Sequence, residues 1–110
     1  MIVSRAFNVC LRSAQALAVL AALQCAAHAN EALARKNACL GCHSVSSKLV
    51  GPAYREVAAK YAGQDGALEQ LQTSIRMGSA GKWGEVPMPP HPQLSGVDLK
   101  KLAVWILGLK

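Results

Sequence analysis

Five consecutive residues, Cys39-Leu40-Gly41-Cys42-His43, constrain this chain more than any other stretch. Two residues between the cysteines suit a helical turn, which brings both sulfurs to one edge of a flat macrocycle. C-x-x-C-H is the spacing of covalent haem attachment. The thiols of Cys39 and Cys42 add to two vinyl groups of one haem, and the adjacent imidazole of His43 is held beneath the iron as proximal ligand. A chain read this way carries a redox cofactor.

Two other chemistries use similar residues. A thioredoxin-like dithiol has the same Cys-x-x-Cys pair, but it belongs in a βαβ setting, and no β-rich run of that kind is present. A zinc site needs a second Cys/His pair, for which the chain beyond residue 30 offers only His91.

The N-terminus is basic at Arg5 and Arg12, then apolar from Ala16 to Leu23, and reaches Ala27-His28-Ala29. A charged start, a short apolar core and an A-x-A site describe a secretory signal peptide. Residues 1–29 are expected to be removed, with Asn30 the first mature residue, and the apolar run is short for a membrane span. An uncleaved anchor is the competing reading. Lipidation at Cys25 is disfavoured, because Ala22-Leu23-Gln24 lacks the small residue that cleavage before a modified cysteine requires. Cys10 and Cys25 leave with the signal, so Cys39 and Cys42 are the mature cysteines and no disulfide framework is available. Export then serves haem attachment outside the bacterial inner membrane, and the expected location is the periplasm.

Removal of 29 of the 110 residues leaves 81, enough for one small domain at 30–110. A domain of that size buries little of its own surface, and the haem supplies the missing apolar centre. The whole chain has a formal net charge of +6, and +4 remains without Arg5 and Arg12. Two propionates reduce it further. Scattered basic residues and few aromatic ones argue against nucleic acid and favour transient docking on acidic protein surfaces.

Helix formers fill Glu31–Cys39, with Asn30 a candidate cap. Pro52 opens a second helix over 53–62 that Gly63 closes. Leu68, Leu71 and Ile75 repeat at helical spacing over 67–77, before Gly78. Ser95-Gly96-Val97-Asp98 starts a last helix with an apolar stripe of Leu99, Leu102, Ala103, Ile106 and Leu109, widened by Trp105. The architecture is therefore all-α, about four helices wrapped around a ligand. Residues 79–92 are too rich in glycine and proline for a regular element, and a loop that long in so small a domain is usually functional. Within it Pro87, Pro89 and Pro90 clamp Met88, which is read as the second axial ligand, whereas Met77 at a helix end is read as packing. His/Met ligation leaves no vacant iron position and favours the ferrous state, as suits an electron carrier and not an enzyme.

With these residues in view, the chain resembles the small class I monohaem cytochromes c of bacteria, specifically the cytochrome c-551 type. The likeness rests on Cys39–His43, Val50–Gly63, Ile75–Gly78, Trp83-Gly84, Pro87–Pro90 and Trp105. It implies the cytochrome c fold, a Pro52 carbonyl that accepts from His43 Nδ1–H, and a Trp83 indole that hydrogen-bonds a haem propionate. Trp105, on the apolar stripe, is read as packing. Three departures stand out. Ser74 lies where the family often has a basic group reaching a propionate, and Arg76 is the nearest substitute, on a different helical face. His91 replaces an asparagine that donates to the methionine sulfur in relatives, and is expected to face solvent. Ala34 replaces an aromatic, which predicts looser packing of the first helix on the last.

The resulting expectation is a soluble, monomeric, periplasmic one-electron carrier. By resemblance its donor is a membrane respiratory complex, and its acceptor a haem nitrite reductase, a cytochrome c peroxidase or a terminal oxidase. Docking is expected at an apolar haem edge ringed by Lys36, Lys48 and Lys82. A haem peroxidase or sensor with a labile Met88 bond would instead bind carbon monoxide rapidly when reduced, and a tethered cytochrome subunit would keep its N-terminus.

Overall fold

Ala- and Leu-rich sequence with no glycine or proline before Gly41 gives a first helix far longer than its mature part requires. Helix α1 spans Ile2–Lys36. The computed structural model describes the backbone of residues 2–110 and the side chains from residue 15 onward. Asn30 is therefore inside a helix rather than capping one, because nothing between Gln15 and Lys36 breaks the helical run. Side chains 15–29 are exposed; among the described side chains, Leu33 and Ala34 are the first to reach the core.

Helix α1 ends where Asn37 donates both its backbone N–H and its side-chain amide to the Leu33 carbonyl, at 3.2 and 2.9 Å. Ala38 then adopts the left-handed conformation, φ 60°, the one non-glycine residue to do so among those described. This turn delivers the chain into a short 3₁₀ turn, Cys39–Gly41.

Helix α2 covers Tyr54–Tyr61. Glu56 accepts the Ala53 N–H at 2.9 Å, half of a capping box, since Ala53 has no side-chain oxygen to complete it. Helix α3, Ala67–Met77, ends at Gly78 with φ 77°. Helix α4, Gly96–Leu107, is capped by Ser95, whose hydroxyl accepts the Asp98 N–H at 3.1 Å.

α1, α2 and α3 all pack on α4. Its buried stripe is Leu99, Leu102, Ala103 and Ile106, four of the residues predicted from spacing alone. Val57 and Tyr61 meet it from α2, and Leu71 and Ile75 from α3. Ala34 has no exposed surface at all, so the small side chain that predicted loose packing lies wholly inside the core. Among the described residues there is no strand, and the only bridge pairs Ser79 with Met88. The fold is all-α, as expected.

Candidate haem-binding cavity

The four helices do not meet at a closed centre. Between them and the 79–92 loop lies a cavity of about 690 Å³, within the usual range for ligand sites. Core side chains Val57, Leu71, Ile75, Leu102 and Ile106 form its apolar floor, and Cys39, Cys42, His43, Pro52, Trp83 and Met88 all line it. The cysteines, the two candidate iron ligands, Pro52 and Trp83 thus share one cavity.

The C-x-x-C-H segment reaches the wall through local hydrogen bonds. Cys42 N–H and His43 N–H both donate to the Cys39 carbonyl, at 3.2 and 3.0 Å, so the 3₁₀ turn relaxes into one α-helical turn at the histidine. Gly51 N–H donates to the Cys42 carbonyl at 2.7 Å and folds the next loop back over the motif. His43 Nδ1 then lies 2.8 Å from the Pro52 carbonyl. A carbonyl only accepts, so Nδ1 carries the proton and Nε2 keeps its lone pair.

The imidazole is fixed on two more sides. Tyr54 stacks on it with centroids 5.0 Å apart and planes 18° from parallel, and Trp105 meets Tyr54 edge-on at 5.5 Å. A Cβ at Gly51 would stand 2.6 Å from His43 Cε1, closer than any side chain tolerates. Burial pushes the Cys39 thiol above its ordinary range, with the neighbouring Tyr54 hydroxyl opposing it. Burial raises the Tyr54 hydroxyl also, with Cys39 beside it. A thiol held protonated is the opposite of a redox dithiol, whose attacking cysteine is ionised near neutrality. No cluster of three His, Cys, Asp or Glu side chains suited to a metal ion is found among the described residues.

Met88 comes from the irregular loop. Its N–H donates to the Ser79 carbonyl at 2.8 Å and Ser79 N–H donates to the Met88 carbonyl at 3.1 Å, so the segment is held just past the end of α3. A Cβ at Gly78 would lie 2.5 Å from the Met88 carbonyl oxygen, which explains glycine at that turn. Met77 is 70 % exposed, so it is neither in the cavity wall nor packed in the core as its helical position had suggested. It sits on the last turn of α3 with its side chain in solvent.

Geometry and a match to a family model described as Cytochrome c, over residues 28–110, point the same way. The chain belongs to the cytochrome c family. Cytochrome c-552 of Nitrosomonas europaea is 51 % identical over 84 residues, 76 % of this chain and 82 % of that protein. Cytochrome c-551 of Allochromatium vinosum is 49 % identical over 77 residues, 70 % of this chain and 82 % of its own. The crystal structure of wild-type Nitrosomonas europaea cytochrome c552 superposes with a TM-score of 0.70, covering 73 % of this chain and 99 % of that one. Such cytochromes c are small electron carriers, not enzymes, and their family implies a covalently bound c-type haem.

Other side chains depart from expectation. Arg76 does not turn toward the cavity; its guanidinium donates to the Pro92 and Leu94 carbonyls at 3.0 and 2.6 Å and ties α3 to the lead-in of α4. His91 is not wholly turned to solvent either: it lines the cavity, and its Nδ1 is buried without a hydrogen-bond partner. The His91 backbone N–H, bonded to the Ile75 carbonyl at 3.1 Å, draws the ring inward. Lys82, expected with Lys48 at the haem edge, does line the cavity, whereas Lys60 lies outside its wall. Yet Lys60 Nζ stands 4.3 Å above the Trp83 ring and donates to the Lys82 carbonyl at 3.0 Å.

Proposed function

We propose that this cytochrome c is a soluble periplasmic one-electron carrier with a single haem bound by Cys39 and Cys42 and axially ligated by His43 and Met88. The observation that carries this reading is the 2.8 Å contact between His43 Nδ1 and the Pro52 carbonyl, which leaves Nε2 free as a donor in the cavity that Met88 also lines. The surroundings fit a haem: two cysteines on the same wall, an apolar floor, and a buried His91 Nδ1 that has no protein partner. Bound there, the group supplies one-electron chemistry at its iron.

The protein's own residues then set how that chemistry runs. Pro52 fixes the His43 tautomer and ring orientation and strengthens it as a donor. The proline clamp and the Ser79 bridge hold Met88 in place, so one electron can enter and leave with both donors retained. Trp83, on the cavity wall, is the residue that would hydrogen-bond a propionate. Exposed Leu49, Val50 and Val86 border the cavity with Lys48, forming an apolar edge for short-lived docking on an acidic partner. Lys36 is not part of that border. The donor is a membrane respiratory complex, and the acceptor a nitrite reductase, a peroxidase or a terminal oxidase. The carrier works as a monomer.

Residues 1–29 act as a cleaved export signal. The Gln15–Lys36 stretch is long and apolar enough to cross a membrane, a test that signal sequences also pass, and the Ala27-His28-Ala29 site supports cleavage.

Absorption spectra of the exported protein test the proposal. Sharp low-spin ferrous bands with the weak far-red ferric band of an iron–thioether bond are expected, and a mass equal to residues 30–110 plus one haem. A high-spin spectrum with rapid carbon monoxide binding would move the protein to the enzyme or sensor class, and an intact N-terminus would make it a tethered subunit. Met88→Ala should lower the reduction potential by on the order of hundreds of millivolts.

A further inference from the structure

We infer that Lys82 is the cation that pairs with a haem propionate in this chain, reaching from the loop to the place where Ser74 supplies no charge. This rests on the haem reading above. An exposed lysine ordinarily keeps its ammonium in water. Lys82 instead turns its Nζ back under its own loop to Ser74 Oγ at 3.2 Å and Tyr61 Oη at 3.4 Å, both on buried residues. Both partners are neutral. The two ion pairs among the described residues are Arg35–Glu31 and Lys101–Asp98, so no carboxylate stands within 4 Å of Lys82. Its ammonium has three protons to donate and two hydroxyls to take them.

Lys82 is exposed, so its charge is not stranded, but its two neutral partners hold the ammonium at the edge of an apolar cavity, where an anion entering that space would pair with it. Lys82 lines the cavity beside Trp83. A haem brings two carboxylates into an otherwise apolar space, which is the anion this arrangement lacks. Arg76, the other candidate, is occupied by the Pro92 and Leu94 carbonyls. Lys60 acts as a strut: by donating to the Lys82 carbonyl and lying on Trp83 it holds the loop that aims Lys82 inward.

The remaining titratable neighbours are Tyr61 from α2, Glu69 from α3, which shares a shallow depression with Lys82, and Lys48, Glu85 and His91 on the cavity wall. Because several of these can titrate, the test must follow the propionates themselves. Opposite charge favours the ionised carboxylate, so loss of Lys82 must raise the proton affinity of its partner.

Haem-loaded protein is compared with its Lys82→Gln and Lys82→Arg variants by NMR, following both propionate side chains with pH. In Lys82→Gln one propionate should gain about tenfold in proton affinity, a shift of about one pH unit, while the other and the iron–thioether band stay unchanged. Lys82→Arg should restore the original titration. Two propionates that titrate in Lys82→Gln as they do in the unaltered protein would overturn the assignment. Should Lys82→Gln fail to load, a cross-peak between the Lys82 side chain and a propionate methylene in the unaltered protein decides: present supports it, absent overturns it. A chain that takes up no haem overturns this and the proposed function together, whereas a low-spin His/Met protein with unmoved propionates overturns Lys82 alone.

Discussion

Gly51 and Ala38 show opposite ways in which single positions shape the wall. At Gly51 any side chain would drive into the imidazole, 2.6 Å from Cε1, and the ring is already pinned by Pro52 and Tyr54. Overpacking of this kind costs roughly 1–3 kcal/mol, and here the strain falls on the iron-ligand candidate. Gly51→Ala is therefore expected to lower the melting temperature and to weaken the low-spin spectrum together; a variant with both unchanged would show that His43 has room to slide. Ala38 has the reverse problem, since its φ of 60° is one that a Cβ resists. Nothing in its surroundings demands the methyl group, and the residue is exposed. Ala38→Gly should stabilise the protein by about 0.5–1 kcal/mol, part of the relief being offset by a more flexible unfolded chain, as read from denaturant midpoints. A loss of stability would mean that the helix-to-motif turn is shaped by more than this dihedral angle.

Helices α3 and α4 were legible from spacing and punctuation: Leu71 and Ile75 before Gly78, and Leu99, Leu102 and Ile106 after Ser95, lie buried where the sequence predicted. The C-x-x-C-H and Pro-Met-Pro-Pro segments likewise pointed to the candidate site, and the fold brings both to one cavity. What spacing did not reveal is where long polar side chains turn. Arg76, Lys82 and His91 each reach inward from exposed or half-buried positions toward backbone carbonyls, hydroxyls or the cavity, and such reach depends on tertiary neighbours far along the chain. The start of α1 was missed for a different reason: a cap residue cannot begin a helix when helix formers precede it without a break. Arg76 gives a direct measure of these long reaches. It joins α3 to residues 92 and 94, sixteen and eighteen positions on, through a charged donor. Arg76→Leu removes both bonds and leaves the Leu94 carbonyl in search of water, a cost of about 1–3 kcal/mol. In a domain this small that corresponds to a fall in melting temperature of several degrees per kcal/mol. The reduction potential should barely move, because the guanidinium faces away from the cavity.

The molecule as a unit is organised around a space its own side chains do not fill. Val57, Tyr61, Leu71, Ile75, Leu102 and Ile106 belong at once to the hydrophobic core and to the cavity wall. Apolar side chains that line a space of about 690 Å³ lack packing partners there unless a group fills it. Without haem the chain must therefore collapse into the space or lose fixed packing, and the prolines of the 79–92 loop hinder an ordered collapse. Cys39→Ser/Cys42→Ser protein, purified free of haem, is expected to lack near-UV circular dichroism and a cooperative thermal transition. Helical signal should persist mainly where residues 15–29 are retained, since their side chains are exposed and owe nothing to the core. Removing residues 1–29 from the haem-loaded protein should, by the same reasoning, leave its melting temperature within error of the longer chain: side chains 15–29 are exposed, and among the described side chains the helix joins the core from Leu33 and Ala34 onward. A cooperative melt in the haem-free variant would mean that α2, α3 and α4 can close on themselves, and would reduce the haem from the centre of the fold to a guest within it.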